Sequence, residues 1–153
     1  PGQGTAFKVF LPAEPVSARA EEKAEAAEEP GGGERVLIIE DERMLRKSVA
    51  LVLSKNGYAV FEAESAREAL SLFKKEGGSF HLVFSDMILR DSNGIELVEE
   101  LMAVRPGFNV LFTSGYMDIE SQWPVIKERG YKFLQKPYEI HELLHIVKES
   151  LKG

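Results

Sequence analysis

The chain has no cysteine among its 153 residues, which excludes a disulfide framework and any thiolate-held metal. That composition fits a cytoplasmic protein. No apolar stretch approaches the roughly 20 residues needed to cross a bilayer, so no membrane contact is expected. Basic excess is missing too: 19 Lys and Arg stand against 25 Asp and Glu, for a formal net charge of −6. A nucleic-acid surface announces itself as a basic patch or stripe. None is visible, so direct binding to nucleic acid is not expected. Histidine is scarce, and although His141 and His145 are spaced i,i+4, no third ligand accompanies them. Gly31-Gly32-Gly33 is not a phosphate loop, because no Gly-Lys-Ser/Thr follows it. The chain opens on Pro1 rather than Met and carries no signal-peptide pattern, so it is expected to be a piece of a longer protein.

What is present divides the chain unevenly. Residues 1 to 34 hold three basic and seven acidic side chains, against 16 and 18 in residues 35 to 153. Residues 13 to 34 are rich in Ala, Glu, Pro and Gly and offer no apolar stripe to bury, so they read as a solvated linker. From residue 35 short apolar runs alternate with amphipathic segments. Strands are expected near 35–40, 58–62, 81–85, 108–113 and 131–134. Helices are expected near 43–55, 66–75, 94–104, 118–129 and 139–151. Leu45, Val49, Val52 and Leu53 repeat at helical spacing in the first helix, and Ile140, Leu143, Leu144 and Val147 in the last. Trp123-Pro124 interrupts the fourth, where an irregular turn is expected over 117–123 with regular helix only from Pro124. Continuous apolar strands alternating with helices predict an α/β fold, a doubly wound parallel sheet.

If the strands are parallel, four polar pieces gather at one edge of the sheet. Glu40-Asp41 ends the first strand, Asp86 the third, Thr113-Ser114 the fourth and Lys136-Pro137 the fifth. Ligands of open α/β sheets bind outside the carboxyl ends of the strands. Three carboxylates crowded there repel one another and raise their pKa values unless a cation is present. All-oxygen ligation points to a hard ion, Mg²⁺ or Mn²⁺. Asp86 is then placed to attack phosphorus as a carboxylate nucleophile, with Lys136 pairing to one phosphoryl oxygen and the Thr113 hydroxyl donating to another. Each piece alone has a plainer reading as a helix cap, strand terminator or solvated charge. Their ordered occurrence at four strand ends is what favours chemistry.

Residues 35–153 resemble the receiver domain of two-component response regulators. The resemblance is carried by Val36-Leu37-Ile38-Ile39-Glu40-Asp41-Glu42, by Leu82-Val83-Phe84-Ser85-Asp86 through Asn93-Gly94, by Thr113-Ser114-Gly115-Tyr116 and by Phe133-Leu134-Gln135-Lys136-Pro137. It implies a flavodoxin-like sheet of five strands in the order 2-1-3-4-5 with five helices. It implies that Asp86 accepts phosphoryl from the phosphohistidine of a histidine kinase or phosphotransfer domain, catalysing no more than its own phosphorylation and dephosphorylation. Glu40 and Asp41 then form the metal pocket with Asp86 and the carbonyl of Ile88. Thr113 and Phe133 act as switch residues that alter the face made by the last two helices and the last strand. Lys136-Pro137 is expected to be a cis peptide. Pro1 to Pro12 is similar to the closing strand of a histidine kinase ATP-binding domain, through Gly2-Gln3-Gly4-Thr5-Ala6-Phe7. That second resemblance implies a hybrid sensor kinase as parent.

The sequence departs from the family pattern at two places. Glu40 stands where an aspartate is usual, one methylene longer, and is expected to reach the metal through a water or to displace one. Arg90 stands where proline is common, which should loosen the loop after Asp86. A non-phosphorylated interaction module is the rival reading. A phosphatase with an aspartate nucleophile would want an acid two residues after Asp86, where Ile88 stands. Side chains two residues past the acceptor and two past the threonine often orient the hydrolytic water in this family. Ile88 and Gly115 cannot, so slow self-dephosphorylation is expected. Self-association into a dimer stays open.

Overall fold

The computed structural model describes residues 31–115 and 123–152. Both tail expectations, the closing strand over residues 1–12 and nearly all of the linker over 13–34, lie outside the described residues, as does most of the expected turn over 117–123. The order is β1 (Arg35–Ile39), α1 (Arg43–Lys55), β2 (Ala59–Ala63), α2 (Ala66–Lys75), β3 (Leu82–Asp86), α3 (Gly94–Val104), β4 (Asn109–Ser114), α4 (Trp123–Glu128), β5 (Lys132–Gln135) and α5 (Ile140–Leu151). The five strands form one parallel sheet in the order β2-β1-β3-β4-β5. Both expectations, the doubly wound architecture and the strand order, match.

The central strands β1, β3 and β4 are apolar through most of their length because both of their faces are covered, whereas the edge strands β2 and β5 carry Glu62, Lys132 and Gln135. Side chains alternate across a strand, so Leu37, Ile39 and Val83 enter a core with Ala69 and Phe73 of α2 and Leu97, Val98 and Leu101 of α3. Val36, Ile38, Leu82 and Phe84 enter a second core with Val49 and Leu53 of α1 and Leu143 and Val147 of α5. Burying each such aliphatic or aromatic side chain contributes about 1.5–3 kcal/mol before the entropy of ordering it. Ile140, placed on the α5 stripe by its spacing, is instead 62% exposed. It is the first residue of the helix, and α5 meets the sheet one turn later through Leu143. In α4 the helix begins at Trp123 with Pro124 in its first turn, where the missing N–H costs nothing.

Local chemistry fixes the ends. The Ser65 side chain accepts from the Glu68 N–H and the Asn93 side chain from the Ile95 N–H, capping α2 and α3. At the amino-terminal pole of the sheet, the Gly31 N–H donates to the Asn56 carbonyl at 2.7 Å and the Gly33 N–H to the Gly57 carbonyl at 3.1 Å. The tail thus joins the domain beside the α1–β2 turn. Among the described residues no helix is long and apolar enough to cross a membrane.

Candidate functional site

Parallel pairing gathers the four pieces. Asp86 and Thr113 are paired across β3 and β4, and Ile39 pairs Ser85 across β1 and β3, so Glu40 follows at the same edge. The Lys136 N–H donates to the Ser114 carbonyl at 2.8 Å, which levels the end of β5 with that of β4. The Lys136–Pro137 peptide is cis, as the resemblance implies. Gly94 sits so close to the end of β3 that a Cβ there would overlap the Asp86 carbonyl oxygen. Glycine is therefore what lets α3 start directly behind the aspartate.

Lys136 is the hub. Its Nζ donates to Glu40 Oε2 at 2.7 Å and to Asp86 Oδ2 at 2.6 Å. Asp86 Oδ1 accepts from the Ile88 N–H at 3.1 Å, and Glu40 Oε1 from the Glu42 N–H at 3.2 Å. One carboxylate oxygen from each of Glu40, Asp41 and Asp86 lies within 4.8 Å of the others. Burial raises the Glu40 pKa above its ordinary 4.5; Lys136 opposes this by hydrogen bond and charge, and the charge of Asp86 adds to the rise. Burial alone would lower the Lys136 pKa. The hydrogen bonds to Asp86 and Glu40 outweigh it and hold Lys136 above the usual ammonium value. The two partners move in the same direction for different reasons, burial prevailing at Glu40 and ion pairing at Lys136.

The donor set suits a hard divalent ion. All three side chains offer oxygen, they crowd like charges, and two protein cations already compensate them: Lys136, and Arg90, whose Nε donates to Asp41 Oδ2 at 3.0 Å. The longer Glu40 lets its second oxygen reach Lys136 while the first is held by its own backbone turn. Thr113 Oγ1 is buried and has no hydrogen-bond partner among the described residues. A buried donor without an acceptor costs about 1–3 kcal/mol, so this hydroxyl is an unused donor on the strand position paired with Asp86. Thr113→Val is accordingly expected to raise the stability of the unphosphorylated protein by about 1 kcal/mol in urea denaturation while abolishing any phosphate-dependent change at Phe133.

Two residues here were not singled out from sequence. Arg46, buried on α1, donates from Nη1 to the Glu40 carbonyl at 2.6 Å and pairs with Glu62 and Glu64 on the far side, so it fixes the backbone that carries Glu40. Its signal was an arginine on the Val49, Ala50, Leu53 stripe. Tyr138 has a buried hydroxyl with no partner among the described residues. Burial first, then the charges of Glu40 and Asp86, push its pKa well above the ordinary phenol value, so it remains a donor. Arg90, noted from sequence as a departure that should loosen this loop, stands in a loop closed by the Leu89 N–H to Ser92 carbonyl bond at 3.1 Å and an Ile88–Asn93 bridge. Phe133 is partly buried and meets Trp123 edge to face at 5.9 Å.

The profile of the response regulator receiver domain matches residues 36–148. This chain belongs to that family. The chain is 34% identical over 160 aligned positions to the sensor kinase CckA of Brucella abortus (strain 2308), an alignment covering 99% of this chain and 17% of the kinase. It is 28% identical over 117 residues to the transcriptional regulatory protein GlrR of Escherichia coli (strain K12), covering 76% of this chain and 26% of that protein. The crystal structure of the receiver domain of the hybrid histidine kinase CckA superposes with a TM-score of 0.65 at 31% identity, covering 76% of this chain and 98% of that one. The receiver domain therefore spans only a small part of the full-length relatives it matches. It is a two-component signalling domain.

Proposed function

We propose that this receiver domain is a phosphoacceptor of a two-component phosphorelay, with Asp86 as the residue modified. The observation that carries the reading is Lys136 Nζ bridging Asp86 and Glu40 at the edge where the unpartnered Thr113 hydroxyl waits. In the transfer, an Asp86 carboxylate oxygen bonds to phosphorus, the phosphorus–nitrogen bond to the donor histidine breaks, and its electron pair leaves with the imidazole. Lys136 moves from the carboxylates to a phosphoryl oxygen, and Thr113 donates to another. A divalent cation held by Glu40, Asp41, Asp86 and the Ile88 carbonyl would neutralise the charge that builds on phosphorus. Phe133 follows Thr113, and the α4–β5–α5 face changes its partner preference.

The donor would be the phosphohistidine of a kinase or phosphotransfer domain. We take the parent to be a hybrid sensor kinase, because the likeness to the CckA kinase extends beyond the receiver profile over 99% of the chain. The test is intact mass after incubation with a small phosphodonor. One phosphate is expected with Mg²⁺ and none with chelator. No gain in either case would overturn the reading in favour of an interaction module.

Phosphate loss should be slow. Ile88 is half exposed beside Asp86, and neither it nor Gly115 can hold a water in line. After removal of donor, the added mass is expected to persist for minutes or longer. A lifetime of seconds would show that another group orients the water.

A further inference from the structure

Arg90 does no work in the proposed transfer, yet it touches the metal pocket. Its Nε donates to Asp41 Oδ2 at 3.0 Å, with 77% of the Arg90 side chain exposed and 22% of that of Asp41. The loop that carries it is held on both sides. Its base is closed by the Ile88–Asn93 bridge and by the Gly94 N–H to Met87 carbonyl bond at 2.8 Å. Its tip is pinned to α2, where Asp91 accepts from the Ala66 and Arg67 N–H groups at 3.0 and 3.2 Å. Those bonds, the one to Ala66 foremost, hold the Asp91 carboxyl below its usual range.

The pocket thus divides its charges neatly. Lys136 serves Glu40 and Asp86, and Arg90 serves Asp41. A divalent ion needs the lone pairs that a guanidinium engages, and a fixed positive charge beside the pocket repels it. Lys136 cannot vary without disturbing Asp86, to which it donates, whereas Arg90 pairs with Asp41.

We propose that Arg90 is a built-in counter-ion of the metal site, competing with the divalent cation for Asp41 and setting its affinity. The inference rests on the metal reading above. Because the pair is largely exposed, the effect is limited and salt-dependent: removing the charge should tighten Mg²⁺ binding about threefold to fivefold at low ionic strength, and less at high salt.

The experiment is calorimetric titration of the unphosphorylated chain with MgCl₂, without phosphodonor, for the wild type and for Arg90→Gln, Arg90→Lys, Arg67→Gln and Asp41→Asn. The expected result is tighter binding in Arg90→Gln only, near wild-type affinity in Arg90→Lys and Arg67→Gln, and loss of binding in Asp41→Asn. Equal or weaker binding in Arg90→Gln would overturn the inference while leaving the metal site standing. So would equal tightening in Arg90→Lys, which would implicate geometry rather than charge, or in Arg67→Gln, which would implicate net charge. A wild type that binds no Mg²⁺ would overturn the metal reading, and this inference with it.

Discussion

Asp86→Asn is expected to take up no phosphoryl group under conditions in which the wild type gains one. The substitution keeps size and shape but replaces the nucleophilic carboxylate with an amide, whose oxygen is too weak a nucleophile to displace an imidazole from phosphorus. The amide oxygen can still accept from the Ile88 N–H, now at 3.1 Å from Asp86 Oδ1, so the loop should keep its form. Two changes offset each other in stability: Lys136 loses one partner, and Glu40 loses a neighbouring like charge. The net change in urea stability should therefore be small for a buried position, on the order of 1 kcal/mol. Intact mass and circular dichroism on the same sample decide the matter. A folded variant that still gains phosphate would place the acceptor elsewhere.

Lys136→Met should cost both transfer and stability. The Glu40 side chain is 2% exposed, and Lys136 is its cation. Removing one member of a buried pair leaves an uncompensated charge and costs about 3 kcal/mol. The pH dependence carries a definite sign. Lys136 has a folded pKa above 10.5, so its contribution is complete below the unfolded value and disappears as pH rises through the folded one. Glu40 has a folded pKa above 4.5 even with Lys136 present. Without the lysine it rises further, and the penalty, absent below 4.5, grows as pH climbs from 4.5 to the folded value and is complete above it. In chelator, the gap between wild type and variant is thus widest from neutral to mildly alkaline pH and closes toward acid. Urea titrations across that range check it. A gap independent of pH would mean that Glu40 is served by another cation.

The sheet and its reactive edge were legible because both depend on local pattern. Runs such as Leu82-Val83-Phe84 are buried on both faces, so their continuity reports a covered parallel strand, and parallel strands necessarily bring their carboxyl ends together. Side-chain pairing was not legible in the same way. Arg46 shares the stripe of Val49, Ala50 and Leu53, but helical spacing does not say which group its guanidinium meets, here the Glu40 carbonyl. Arg90 and Asp41 are 49 residues apart and meet only through the fold. Ile140 failed for the opposite reason: periodicity places it on a stripe but does not say where along the helix the sheet stops. Thr113 could be named from its place at a strand end, but its lack of a partner is a property of the packed protein alone.

The bonds from Gly31 and Gly33 to the α1–β2 turn anchor the incoming chain at the end of the sheet remote from Asp86. A five-residue strand such as β1 separates those ends by about 17 Å. The chain therefore enters the domain at the pole opposite the carboxyl ends of the strands, so the bonds that secure its entry and the residues gathered around Asp86 share no contact and can be altered separately.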